Sequence, residues 1–186
     1  MKPIESKTIN FTIMFVVLII AIYTLLLVSD VHIRMSTTIA DDSILTHAEY
    51  YKNPNVFKND FEATSMSEPS LLSMMNYIPA LAYKYLDISP KIFYLPLVLL
   101  QNILTGLGIF FLSRHISTDT SYNLLSVALY LLILPHFKNL ANYAGLLWMP
   151  YAGHLAQGLI LLSIAAFLNN QKIASAVFLL IAGFIH

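Results

Sequence analysis

The sequence predicts an all-α fold: a polytopic transmembrane helical bundle of about 4–5 spans, with two juxtamembrane helices in the first outer loop. Three observations predict it. Of 186 residues, 58% are hydrophobic and only 11% charged, with a mean hydropathy of +0.70; soluble domains carry about 25% charged and about 45–50% apolar residues. The apolar residues gather in long uncharged runs. Most of the charge sits in one intervening segment, residues 29–90. The same composition excludes several functions. Ten basic and ten acidic residues leave no net charge, so no polybasic surface serves nucleic acid. With no cysteine, disulfides, thiolate nucleophiles and zinc–cysteine sites are ruled out.

The first span is Ile9 to Val28 (about 9–28), twenty residues without a charge. At 1.5 Å rise it is roughly 30 Å long, enough to cross a hydrocarbon core. Lys2 and Lys7 precede it, but the run is too long for a signal-peptide core and no small-x-small cleavage site follows. It reads as a signal anchor. The second span is Ile92 to Leu112 and carries Gln101 and Asn102 near its centre. The third, Tyr122 to Leu134, is short and closed by Pro135. The fourth, Trp148 to Leu168, opens on an interfacial aromatic pair, Trp148 and Tyr151. The fifth, Ile173 to Ile185 (about 173–186), is short for a crossing.

Charge sets the expected topology. An inside N-terminus places Lys2, Lys7, Arg114 and Lys172 on the cytoplasmic side, while eight of the ten acids fall outside, as the positive-inside rule requires. The expected location is an inner or plasma membrane, with the large loop extracytoplasmic.

The outer loop 29–90 is too long to lack structure of its own. One amphipathic helix is expected over about Asp41 to Tyr51, with Ile44, Leu45, Ala48 and Tyr51 on one face and Asn53-Pro54 as its stop. A second begins near Ser67-Glu68-Pro69, with Leu71, Leu72, Met75, Ile78, Ala82 and Tyr85 as its stripe and a kink at Pro79. It suits the membrane interface better than a crossing. Asp41-Asp42 opens the first of these helices. Such carboxylates could bind a divalent cation or act as a general base; the structural alternative is an acid pair that complements the helix macrodipole. Glu49, Asp60, Glu62 and Glu68 read as solvated.

Other polar residues have two readings each. His154 and Gln157, one helical turn apart, suit either ligand contact or hydrogen bonding between helices. Gly106-x-Gly108 reads as a small-residue patch for close helix approach. His47 has no partner at metal-ligand spacing.

The stretch TTIADDSILTHAEYYKNPNVFKNDF followed by EPSLLSMMNYIPALAYKYL resembles the N-terminal region of GT-C-type membrane glycosyltransferases. Those enzymes place an acidic motif and two juxtamembrane helices in a large loop after the first span, and take sugars from polyprenyl-phosphate carriers. The resemblance implies that Asp41 or Asp42 is the catalytic carboxylate. It implies that Arg34, Lys84, Lys91 or Lys138 holds the lipid phosphate, with His154 a further contact to carrier or acceptor. The implied partners are the bilayer, a lipid-linked sugar donor and an acceptor glycan, lipid or protein. No glycine-rich phosphate cradle supports a nucleotide-sugar donor. Family members are longer, so residues 1–186 are expected to form one membrane domain at the N-terminal end of a larger protein. The competing reading is a non-catalytic polytopic membrane subunit or assembly factor. A transporter is disfavoured because the first four runs contain no Asp, Glu, Lys or Arg.

Overall fold

Uncharged runs of leucine, isoleucine, valine and alanine leave the backbone little alternative to helix, and helix is what they form. A computed structural model describes residues 6–34, 48–55, 58–59, 74–133 and 152–185. The elements are α1 (Ser6–Arg34), α2 (Met74–Leu86), a 3-10 turn (Pro90–Phe93), α3 (Tyr94–Ile116), α4 (Thr120–Ile133), α5 (Ala152–Leu168) and α6 (Lys172–Ile185). A short helical piece, 48–52, lies between α1 and α2 in sequence. No strand occurs among the described residues.

One helix among them, Pro90–Ile116, is long and apolar enough to cross a membrane, with a mean hydropathy of 2.0. Phe11–Leu26, Thr120–Leu132, Gly153–Leu168 and Lys172–Ile185 are shorter apolar helices. The second expected span therefore runs past Leu112 to Ile116 and takes Arg114 and His115 into its last turn. Cations there complement the negative end of the helix dipole.

Local signals set the ends. The 48–52 piece stops at Asn53, whose N–H bonds the Glu49 carbonyl at 2.8 Å; the expected Asn53-Pro54 stop is in place. Pro79 lies inside α2 and is fully buried. Asp119 caps α4 by accepting from the Ser121 N–H at 2.8 Å. α5 ends in a Schellman turn. Asn170 is left-handed (φ 61°), Gln171 N–H bonds the Ala166 carbonyl and Asn170 N–H the Phe167 carbonyl, both at 2.9 Å. Asparagine tolerates that backbone better than most residues. The result is a three-residue turn into α6.

α3 is the centre of the bundle: α5 packs along one side of it and α1 and α4 along another, while α6 packs on α5. Two glycines two residues apart make this possible. Gly106 faces Ile20 of α1, and Gly108 faces Leu161 of α5. Gly158 of α5 answers across the seam, where a Cβ would stand 2.8 Å from the Thr105 backbone nitrogen. The small-residue patch is thus two patches with two partners. Apolar clusters form on either side of α3. One joins Val16 and Ile20 of α1 to Phe110 of α3 and Val127, Tyr130 and Leu131 of α4. The other joins Leu155, Ala156 and Leu159 of α5 to Ala182 and Ile185 of α6.

Candidate functional site

The polar chemistry of the described residues concentrates where the 48–52 piece meets α2. Glu49 and Lys52 lie three residues apart on the 48–52 piece, while Tyr83 is in the last turn of α2 and Asp87 is the residue just past its end. The two pairs interlock. The Lys52 ammonium forms an ion pair with Asp87 and lies 4.0 Å over the Tyr83 ring. The Tyr83 hydroxyl donates to Glu49 Oε1 at 2.8 Å. Tyr51 meets Tyr77 edge-to-face at 5.4 Å between centroids. These four contacts join residues between 26 (Tyr51–Tyr77) and 35 (Lys52–Asp87) positions apart into one unit.

Asp87 makes the geometry. It terminates α2 in the left-handed region, φ 56°, a conformation that aspartate accepts more readily than most residues. The hydrogen bond and charge of Lys52 hold its carboxyl below the usual carboxylate value, and the same contact raises Lys52 above the usual lysine value. A hydrogen bond to the Glu49 carboxylate raises Tyr83. Burial, followed by a hydrogen bond with Tyr77, pushes Tyr51 up to about 12.

The sequence-predicted site residues fall in different places. Asp41, Asp42 and Lys138 lie outside the described residues, and so does the region 41–47 of the expected first loop helix. Arg34 is the last residue of α1. Lys84 is exposed in the last turn of α2, its ammonium 5.4 Å from the Tyr51 ring and 5.6 Å from the Tyr85 ring. Lys91 is exposed in the 3-10 turn that links α2 to α3. Lys84 and Lys91 are therefore brought to the same end of the bundle as the clasp. His154, in the first turn of α5, is half-buried and hydrogen-bonded to Gln157. The one-turn spacing of that pair does produce a bond within α5. Among the described residues, no three His, Asp or Glu side chains gather to hold a metal ion.

Sequence reasoning missed Lys52, Tyr83 and Asp87. The signal was there: Glu49 and Lys52 lie off the apolar stripe of the first loop helix, and Tyr83 and Asp87 flank the end of the second. It was Glu49 that read as solvated; the structure instead gives it the Tyr83 hydroxyl.

Inside the bundle, polar side chains bind helix to helix. Asn102 donates to Thr24 Oγ1 at 3.1 Å, tying α3 to α1. Ser163 bonds the Ser175 carbonyl at 2.8 Å and lies 2.9 Å from its hydroxyl, tying α5 to α6. No protein-family model, curated protein or solved structure matches the chain.

Proposed function

We propose that the chain is a multi-pass membrane protein that acts, at the extracytoplasmic face, as a GT-C-like glycosyltransferase on a lipid-phosphate-linked sugar. One observation supports the reading: within the segment after α1, the 48–52 piece is clasped to the end of α2 through Lys52–Asp87 and Tyr83–Glu49. In sequence, the acidic pair Asp41-Asp42 precedes the 48–52 piece by six residues. In the proposal, the clasp anchors the chain just after the Asp pair, and a general base requires such a fixed position.

The surface of the helices supports the membrane part of the proposal. Phe11, Leu26, Leu132 and Phe184 are each more than 60% exposed, whereas Thr24, Gln101, Asn102, Thr105 and Asn123 are at most 3% exposed. An apolar exterior around polar interhelical contacts suits a hydrocarbon solvent. The spans of the proposal are α1, α3, α4, α5 and α6. From Tyr94 to Arg114, α3 is about 30 Å long; with α3 as a crossing, the proposed topology has the acidic loop outside and Arg114 and Lys172 inside.

In the proposed reaction, Asp41 or Asp42 removes the proton from an acceptor hydroxyl as its oxygen attacks the anomeric carbon. The bond from that carbon to the lipid phosphate breaks, and the phosphate leaves as the anion. Lys84, Lys91, Arg34 and Lys138 are the candidates to hold that phosphate; a divalent cation on the Asp pair would serve the same charge. Such a base contributes about 10²–10⁴-fold. The test is to replace Asp41 and Asp42 separately by Asn in the full-length gene product and follow sugar transfer from a polyprenyl-phosphate donor. Loss of at least about 100-fold in one variant is expected; full activity in both overturns the assignment.

A second reading, a non-catalytic membrane subunit, draws on α6. Its Val177, Leu179, Leu180 and Phe184 are exposed, and a Cβ on Gly183 would meet open space. That reading predicts co-purification with a partner in mild detergent and indifference to either Asp substitution.

A further inference from the structure

At the end of the bundle opposite the clasp, α3, α5 and α6 enclose a cavity of about 490 Å³. That size falls within the roughly 300–1,000 Å³ of small-molecule sites and is far more than a free phosphate needs. Its rim is polar: Arg114 and His115 from the last turn of α3, and Asn169 and Gln171 from the turn after α5. Its floor is apolar, with Leu162 of α5 and Phe178 of α6 among the lining.

Charge is one-sided. α3, α5 and α6 contain no Asp or Glu at all. Arg114 lies 6.0 Å from the Phe110 ring centroid and pairs with no carboxylate among the described residues. The nearest acid in sequence, Asp119, has its Oδ1 occupied by the Ser121 N–H. An arginine with planar paired donors, backed by an imidazole, the Gln171 carboxamide and the one Asn169 N–H not given to the Ala165 carbonyl, is a donor set for phosphate oxygens. An apolar floor beneath such a rim accommodates glycerol and the first methylenes of an acyl chain.

We infer that the Arg114–His115–Asn169–Gln171 cavity binds the headgroup of a net-anionic phospholipid. The phosphodiester sits on Arg114 and the acyl chains leave along the apolar surfaces of α3 and α6. This site is separate from the clasped loop, at the other end of α3, and does not depend on the transferase reading. Basic pockets between helices at a membrane surface serve anionic headgroups in this way.

Native mass spectrometry tests it, on the full chain in mild detergent doped with phosphatidylglycerol, phosphatidylcholine or sodium phosphate. Phosphatidylglycerol is expected to stay bound through detergent removal and phosphatidylcholine to leave. Arg114→Gln is expected to weaken phosphatidylglycerol roughly tenfold, the size of one lost charge-assisted hydrogen bond. Gln171→Glu, an exposed position on the rim, places a like charge there without disturbing the floor, and is expected to do the same. Circular dichroism checks that both variants keep their helix content. Equal retention of the two lipids, or unchanged phosphatidylglycerol binding in both variants, overturns the inference. Displacement of phosphatidylglycerol by an equal concentration of sodium phosphate overturns it as well, because the ligand is then a soluble anion.

Discussion

The seam between α3 and α5 allows a graded prediction from single methyl groups. In Gly158→Ala the new Cβ would stand 2.8 Å from the Thr105 nitrogen and 2.9 Å from Leu104 Cβ. Neither atom is the end of a flexible side chain, so the helices must part. In Gly108→Ala it would stand 2.6 Å from Leu161 Cβ, again close to backbone. In Gly106→Ala the near atom is the tip of Ile20, which can rotate away. In Gly183→Ala it would touch nothing. All four positions are helical, so the gain in helix propensity, about 1 kcal/mol, is nearly common to them. Differences between variants therefore isolate the clash. Overpacking costs about 1–3 kcal/mol, so Gly158→Ala and Gly108→Ala should each fall that far below Gly183→Ala, with Gly106→Ala between. The double variant of Gly108 and Gly158 should depart from additivity, since both methyls widen one seam. Unfolding of the purified chain by denaturing detergent, followed by circular dichroism, reads these differences. If Gly158→Ala is as stable as Gly183→Ala, α3 and α5 do not approach as described.

Further outcomes follow from the polar contacts. The Asn102–Thr24 bond should show a coupling of about 0.6 kcal/mol, and no more than about 1.7, in a double-mutant cycle of Asn102→Leu and Thr24→Val; zero coupling would remove it as interhelical glue. The Lys52–Asp87 pair should protect the segment between α1 and α3 from limited proteolysis, with Lys52→Ala and Asp87→Ala each opening it. Asp87 is lowered from 3.8 and Lys52 raised from 10.5. The carboxylate contribution is therefore fully present above pH 3.8 and lost as pH falls through the lower folded value. The ammonium contribution is fully present below pH 10.5 and lost as pH rises through the higher folded value. Protection that stays constant through both limits would mean the pair does not hold the loop. Tyr51, at about 12, should ionise late in an alkaline absorbance titration, and Tyr51→Phe should remove amplitude from that late phase.

Helices were legible where one stretch of chain decides the outcome. Uncharged runs gave α1, α3, α4, α5 and α6, Asn53-Pro54 gave a stop, and Gly106-x-Gly108 gave a close approach. What escaped depends on residues meeting across the chain. Lys52 and Asp87 are 35 positions apart, and no periodicity within either helix names the partner. Only the three-dimensional path of the chain turns the two polar pairs into one clasp. The anion cavity escaped for the same reason. Arg114 read as a cytoplasmic marker because its sequence neighbours say only where a span ends. Its neighbours in space, Asn169 and Gln171, arrive from a turn more than fifty residues later.

α3 shows why hydropathy and role diverge in this fold. It is the helix most suited to crossing a membrane, yet Gln101, Asn102 and Thr105 are buried within two turns of its middle, together with Gly106 and Gly108. A peripheral helix in hydrocarbon could not carry that stretch, because each unpartnered carboxamide would cost several kcal/mol in lipid. A central helix can, because α1 supplies Thr24 to Asn102 and the glycines admit α1 and α5 closely. The more apolar α6, whose polar contact is Ser175 with Ser163, stands at the edge. Position in the bundle thus follows from where the polar and small residues are, not from how apolar the helix is. Moving polarity outward is the test of that rule: an Asn at Leu180, exposed on α6, should destabilise the chain in a bilayer more than in a polar detergent shell. Equal effects in both would indicate that α6 faces protein rather than lipid.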